Sequence, residues 1–108
     1  KCNYGALQYI KPETVDLFTS AQYPNNRRGL GFDKRQPNSD GGPTCEAASM
    51  QSFGHTGFTG TYAWADPKNN LIFIFLSNRV YPSAATNKLA KMGIRTKVHQ
   101  LLYKAFNN

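Results

Sequence analysis

The chain has 108 residues, 40% hydrophobic and 13% aromatic, with 13 basic against 6 acidic residues for a net charge of +7. That length fits one domain or part of one, and the apolar content excludes global disorder. No run approaches the roughly 20 apolar residues of a membrane-spanning helix, and Cys2 and Cys45 match no C-x-x-C metal or redox spacing.

Residues 1–11 read as a turn-rich entry with a short extended piece over Leu7–Ile10. Pro12 suits a first helical position, and Glu13 and Asp16 favour the positive end of a helix dipole, so a short helix starts there. Val15 and Phe18 give it an apolar side, and Tyr23-Pro24-Asn25-Asn26 ends it. Arg27–Asp33, R-R-G-L-G-F-D, reads as a short strand with glycines where other groups approach closely. Lys34–Gln51 is a polar loop around Gly41-Gly42-Pro43, with a helical turn expected near Glu46–Met50. Ser52–Thr56 and Thr61–Ala65 read as strands, and Asp66-Pro67-Lys68-Asn69-Asn70 as a turn. Leu71–Leu76, L-I-F-I-F-L, does not alternate and is expected to be buried on both faces. The last element is an amphipathic helix: Ile94, Val98, Leu101, Leu102 and Ala105 form one stripe, Gly93 is a candidate N-cap, and Lys97 and Lys104 face outward.

This order predicts an α+β fold, an antiparallel sheet of about four strands with the terminal helix on one face. Residues 1–108 form one such unit. A strand buried on both faces needs cover on both sides, and the helix at 12–20 is too short to supply it. Part of the fold is therefore expected from elsewhere in the polypeptide or from another chain. The opening Lys1, instead of methionine, suggests a processed or excised piece. The two cysteines pair in an oxidising compartment or stay as free thiols, and both readings remain open. After Asp66 every charged residue is basic. Such a surface suits nucleic acid, anionic lipid or an acidic partner, or is simply a solvated helix face. The absence of a nucleic-acid motif favours the last.

Phe53-Gly54-His55-Thr56-Gly57-Phe58-Thr59-Gly60-Thr61 carries the most chemistry. It sets a basic side chain, a hydroxyl and a residue without a side chain in a row, ahead of the aromatic strand Tyr62-Ala63-Trp64. A D-P-x-N-N turn follows, and the next strand ends in Leu76-Ser77-Asn78-Arg79-Val80-Tyr81-Pro82. The ordered set resembles the C-terminal third of class C β-lactamase and penicillin-binding-type serine hydrolases, whose third motif is K-T-G or H-T-G. Lys11-Pro12-Glu13-Thr14-Val15 and the G-L-G-F segment extend the resemblance over nearly the whole chain. The tail K-M-G-I-R-T-K-V-H-Q-L-L-Y is similar to chains of Bacteroides-type bacteria, some of which fuse such a hydrolase to a family 3 glycoside hydrolase.

The resemblance implies roles. The N–H of Phe58 is one donor of an oxyanion hole, Gly57 leaves room for substrate along the strand, and Thr56 bonds a substrate carboxylate or carbonyl. His55 stands where lysine is usual and carries less fixed positive charge. Thr59, Asn78 and Ser83 are implied on the substrate side. In class C β-lactamases an asparagine and an arginine help hold the substrate carboxylate where this chain has Ser83 and Thr86, so an esterase or D-amino-acid peptidase fits better than a β-lactamase. No serine is followed three residues later by lysine; Ser20, Ser39, Ser49, Ser52, Ser77 and Ser83 all fail. The nucleophile and its base are thus expected upstream in the same polypeptide. The partners implied are that upstream part and a small acyl substrate, with self-association of the isolated chain. No cofactor, metal or nucleic acid is called for, and the place of action is outside the bacterial cytoplasm. Two other readings stand beside this one. The first is a basic binding module with Phe53, Phe58, Tyr62 and Trp64 as a stacking platform; the second is a docking domain without catalysis.

Overall fold

The computed structural model describes residues 3–36 and 42–106. A two-stranded ribbon, β1 (Asn3–Tyr4) with β2 (Leu7–Gln8), leads into helix α1 (Pro12–Thr19). Pro12 takes the first turn as its fixed φ favours, and Ser20 caps the other end through its N–H on the Asp16 carbonyl. No α1 residue is fully buried, so its apolar side finds little cover within the chain. Four strands then form one sheet in the order β3-β4-β5-β6: β3 (Asp33–Lys34), β4 (Phe53–Thr56), β5 (Tyr62–Asp66) and β6 (Leu71–Phe75). All neighbours are antiparallel, with His55 opposite Ala63 and Ala63 opposite Ile74. Helix α2 (Lys88–Lys91) and helix α3 (Ile94–Phe106) complete the chain. The α+β architecture and the three consecutive hairpin-linked strands are those read from the sequence.

Four readings change. Arg27–Asp33 is a tight reversal, with Arg28 bridged to Asp33, Gly29 N–H on the Phe32 carbonyl at 2.8 Å and Gly31 at φ +79°. Gly31 lets the chain turn back, while the close approach expected at the glycines holds at Gly29, where a Cβ would lie 2.7 Å from the Phe18 carbonyl. Hydrogen-bonded turns, closed by Ala48 N–H on Cys45 O and Ser52 N–H on Ser49 O, replace the helical turn near Glu46–Met50. Gly41, in the centre of the expected loop, lies outside the described residues, as does Cys2; Cys45 is a buried free thiol, its pKa pushed up by burial.

The third change concerns β6, which is buried on one face only. Phe73 is buried against α3, whereas Ile72, Ile74 and Leu76 are 73%, 62% and 79% exposed. Side chains alternate across a strand, and the described residues form one long helix. That helix covers one face of the sheet and leaves the other bare.

The covered face is aromatic. Tyr62 stacks on Trp64 at 5.6 Å, with Phe73 edge-on to Tyr62 and Val98 and Leu102 of α3 packed against them. Gly54 is required beneath this stack: a Cβ there would lie 2.3 Å from the Trp64 ring and 2.2 Å from the Ala63 carbonyl. The helix stripe is rotated from the expected one. His99 and Tyr103 are its buried residues, while Leu101 is 62% exposed and Ala105 faces outward. Hydrogen bonds account for the rotation. Tyr103 Oη donates to Asp66 Oδ2 at 2.5 Å, and His99 Nδ1 sits 3.2 Å from Tyr62 Oη and 3.3 Å from Thr44 Oγ1. Gly93 does start α3, its carbonyl accepting the Lys97 N–H at 3.0 Å.

His99 is expected to make the domain acid-sensitive. Burial pushes its pKa down to about 4, partly countered by the Asp66 carboxylate. Below the ordinary value of 6.5 the unfolded chain takes a proton that the folded chain refuses, so stability falls as pH drops from about 6.5 toward 4. The expected loss is about 3 kcal/mol. Urea midpoints measured across that window on wild type and His99→Gln check it; the variant's profile should be flatter there, and equal profiles would remove His99 as the cause.

Candidate active site

The H-T-G triplet ends β4, and strand alternation splits it between the two faces. His55 projects on the bare face opposite Ala63; Thr56, opposite Tyr62, lines an open groove of about 1110 Å³ on the helix side. Arg27, Arg95, Lys97 and Lys104 also line that groove, with Glu46 as its acid. The chain then turns tightly: Gly57 N–H donates to Thr61 O at 2.8 Å and Gly60 N–H to Gly57 O at 3.0 Å. Arg95 of α3 braces the turn by donating to the carbonyls of Gly60 and Thr61, at 3.3 and 3.4 Å.

Phe58 stands at the corner of this turn, exposed, with the Arg79 guanidinium 4.5 Å from its ring centre. The Thr59 carbonyl accepts from Arg79 N–H at 2.9 Å and from Ser77 Oγ at 3.3 Å. These bonds bring the turn against the segment after β6. His55, Thr56, Gly57, Phe58 and Thr59 therefore share one hairpin, and Asn78 lies beside Thr59 between its two partners. Ser83 follows the cis Tyr81–Pro82 bond and its hydroxyl accepts from Ala85 N–H at 3.2 Å, a local contact within that loop. Tyr62 and Trp64 are only 2% and 1% exposed, so they offer no stacking platform to a nucleic-acid base.

Neighbours fix the His55 ring. Its Nδ1 lies 2.8 Å from the Thr56 carbonyl, which can only accept, so Nδ1 carries the proton in this arrangement. Nε2 then accepts from Arg28 Nη1 at 3.4 Å. Arg28 is itself paired with Asp33 Oδ1 at 2.5 Å, and Arg27 holds Asp33 Oδ2 at 2.7 Å. The sequence reading passed over Arg28 and Asp33. Their signal was present in R-R-G-L-G-F-D, because a glycine turn between two arginines and an aspartate sets them across from each other.

Among the described residues no His, Cys, Asp and Glu cluster could hold a metal ion, and no helix is long and apolar enough to cross a membrane. The fold is similar to part of a β-lactamase from Mycobacterium bovis, with a TM-score of 0.73 and 22% identity; the match covers 90% of this chain and 38% of that one. An Escherichia coli K12 protein named "Putative D-alanyl-D-alanine carboxypeptidase" is 37% identical over 83 residues, 76% of this chain and 19% of its own. A Salmonella gallinarum protein of the same name is 37% identical over 87 residues, 80% of this chain and 20% of its own. The chain thus spans about a fifth of the length of the curated relatives it matches. The sequence pattern of one family, described as Beta-lactamase, matches residues 6–94. With that match over most of its length, the chain belongs to the Beta-lactamase family.

Proposed function

We propose that the longer protein containing this chain is a serine hydrolase that cleaves ester or amide substrates by acyl transfer, and that this chain forms one wall of its cleft. The observation that carries the reading is the H-T-G triplet at the end of β4, entering a tight hairpin on a sheet with one bare face. In acyl transfer a serine oxygen attacks a carbonyl, and negative charge grows on the carbonyl oxygen. Fixed backbone N–H groups stabilise that charge with little reorganisation. Phe58 N–H is the donor assigned to this chain; the serine, its lysine base and the second donor belong to the upstream part. That part covers the bare face at Ile72, Ile74 and Leu76. Such a wall suits a small acyl substrate lying along the strand past Gly57, and an extracytoplasmic place of action goes with this reading.

The test is acylation of the full-length protein by a fluorescent penicillin and a p-nitrophenyl ester. A covalent adduct on an upstream serine, with ester turnover, is the expected result. No adduct and no turnover with either reagent would sink the reading. The isolated chain is expected to give neither. It is also expected to self-associate, because uncovered apolar faces of several hundred Å² drive association. Sedimentation of a clean monomer at high concentration would contradict that.

A further inference from the structure

We propose that Arg79 is a positioning residue: its guanidinium holds the Phe58 ring and so keeps the Phe58 N–H aimed as an oxyanion donor. This rests on the hydrolase reading above and adds to it the group that fixes the donor. Three observations carry it.

The first is the geometry of the turn. Gly57, Phe58, Thr59 and Gly60 form a four-residue turn closed by Gly60 N–H on the Gly57 carbonyl at 3.0 Å. The Gly57–Phe58 peptide is planar and trans, so its N–H points away from its carbonyl. With that carbonyl tied to Gly60 across the turn, the Phe58 N–H is directed outward. Whatever holds Phe58 to Gly60 in this shape aims the donor.

The second is the place of Arg79. Its backbone N–H donates to the Thr59 carbonyl at 2.9 Å. That carbonyl belongs to the same peptide as the Gly60 N–H that closes the turn. A Cβ at Gly60 would lie 3.3 Å from Arg79 Cγ, so the stem of the side chain runs against the turn. The guanidinium then reaches 4.5 Å from the centre of the Phe58 ring. Arg79 therefore meets three successive residues of the turn, by its charge, its backbone and its stem.

The third is the lack of other support for the ring. Phe58 is 75% exposed and joins neither hydrophobic cluster of the core, so packing does not fix it. Among the described residues no carboxylate pairs with Arg79, because Asp33 is taken by Arg27 and Arg28. The charge stays available to the ring face, whose quadrupole attracts a cation.

A direct pull of the Arg79 charge on the oxyanion is the rival role, and a double-mutant cycle separates the two. The experiment uses the full-length enzyme and a p-nitrophenyl ester, with kcat and KM read separately. Arg79→Met keeps the stem and removes the charge; Phe58→Leu removes the ring and leaves the backbone N–H. Each should lower kcat by about 5-fold, the size of one cation–π contact, with KM within about two-fold of wild type. The double variant should be no slower than the slower single one, because both substitutions remove the same contact. Arg79→Lys keeps a cation over the ring and should recover most of kcat. Losses that multiply to about 25-fold in the double variant give Arg79 a role away from the ring and overturn the proposal. So does a kcat unmoved in Arg79→Met, or a loss confined to KM. If Arg79→Met does not fold, Arg79→Gln closes the same cycle. A wild type without ester turnover overturns the hydrolase reading, and this proposal with it.

Discussion

Replacing Asp66 with alanine is expected to cost the domain about 2–4 kcal/mol through the donors it leaves without an acceptor, a large part of an ordinary domain's stability. Its carboxylate is buried and accepts five hydrogen bonds: from Ser49 N–H at 2.8 Å, Ser49 Oγ at 2.6 Å, Lys68 N–H at 3.1 Å, Asn69 Nδ2 at 2.8 Å and Tyr103 Oη at 2.5 Å. Three separate segments meet there: the turn after β5, the loop before β4 and helix α3. Burial alone would raise the carboxyl pKa, but the donors from Ser49, Tyr103 and Asn69 outweigh it and hold the group at about 2. Its folded value lies below the ordinary 3.8, so its contribution is complete above that value and is lost as pH falls from about 4 to 2. Tyr103→Phe removes one donor and is expected to cost about 1–2 kcal/mol. Urea unfolding of the full-length protein measures both. An Asp66→Ala midpoint equal to wild type would show that the junction adds nothing to stability.

His55→Ala in the full-length enzyme is expected to lower kcat/KM by about 100-fold while leaving the fold intact, since the side chain packs into no core of this chain. Gly57→Val is expected to do more harm. A Cβ at residue 57 would lie 2.0 Å from Thr61 Oγ1, so the Thr61 side chain or the hairpin that presents Phe58 N–H must shift before any substrate arrives. Steady-state kinetics on both variants, with circular dichroism as the check on folding, decide this. Unchanged kcat/KM in His55→Ala would reduce the triplet to a structural strand end.

The strands were readable because their signals are local. Short connections force antiparallel neighbours, and the Asp66-Pro67-Lys68-Asn69-Asn70 turn announces itself by residue type. The faces were harder. Counting apolar positions on α3 points to Leu101, but the helix turns Tyr103 and His99 inward because their polar atoms find partners on Asp66 and Tyr62. An apolar count is blind to such pairs. In β6 the uninterrupted run L-I-F-I-F shows that both faces avoid water, yet burial depends on what the chain itself can lay over them. The triplet was legible as a motif. The contact of Arg28 with His55 was not, because the two are 27 residues apart and only the folded turn joins them.

The aromatic stack under α3 also makes the molecule self-reporting. Trp64 is the single tryptophan of the chain, buried against Tyr62, and its cluster is closed by Val98 and Leu102 from the helix. Indole emission moves to longer wavelength when the ring meets water. The intrinsic fluorescence of this chain is therefore a gauge of one event, the lifting of α3 from the sheet, and needs no attached dye. Because Arg95 of the same helix braces the Gly60–Thr61 carbonyls, that optical signal and the loss of the hairpin's shape should run together.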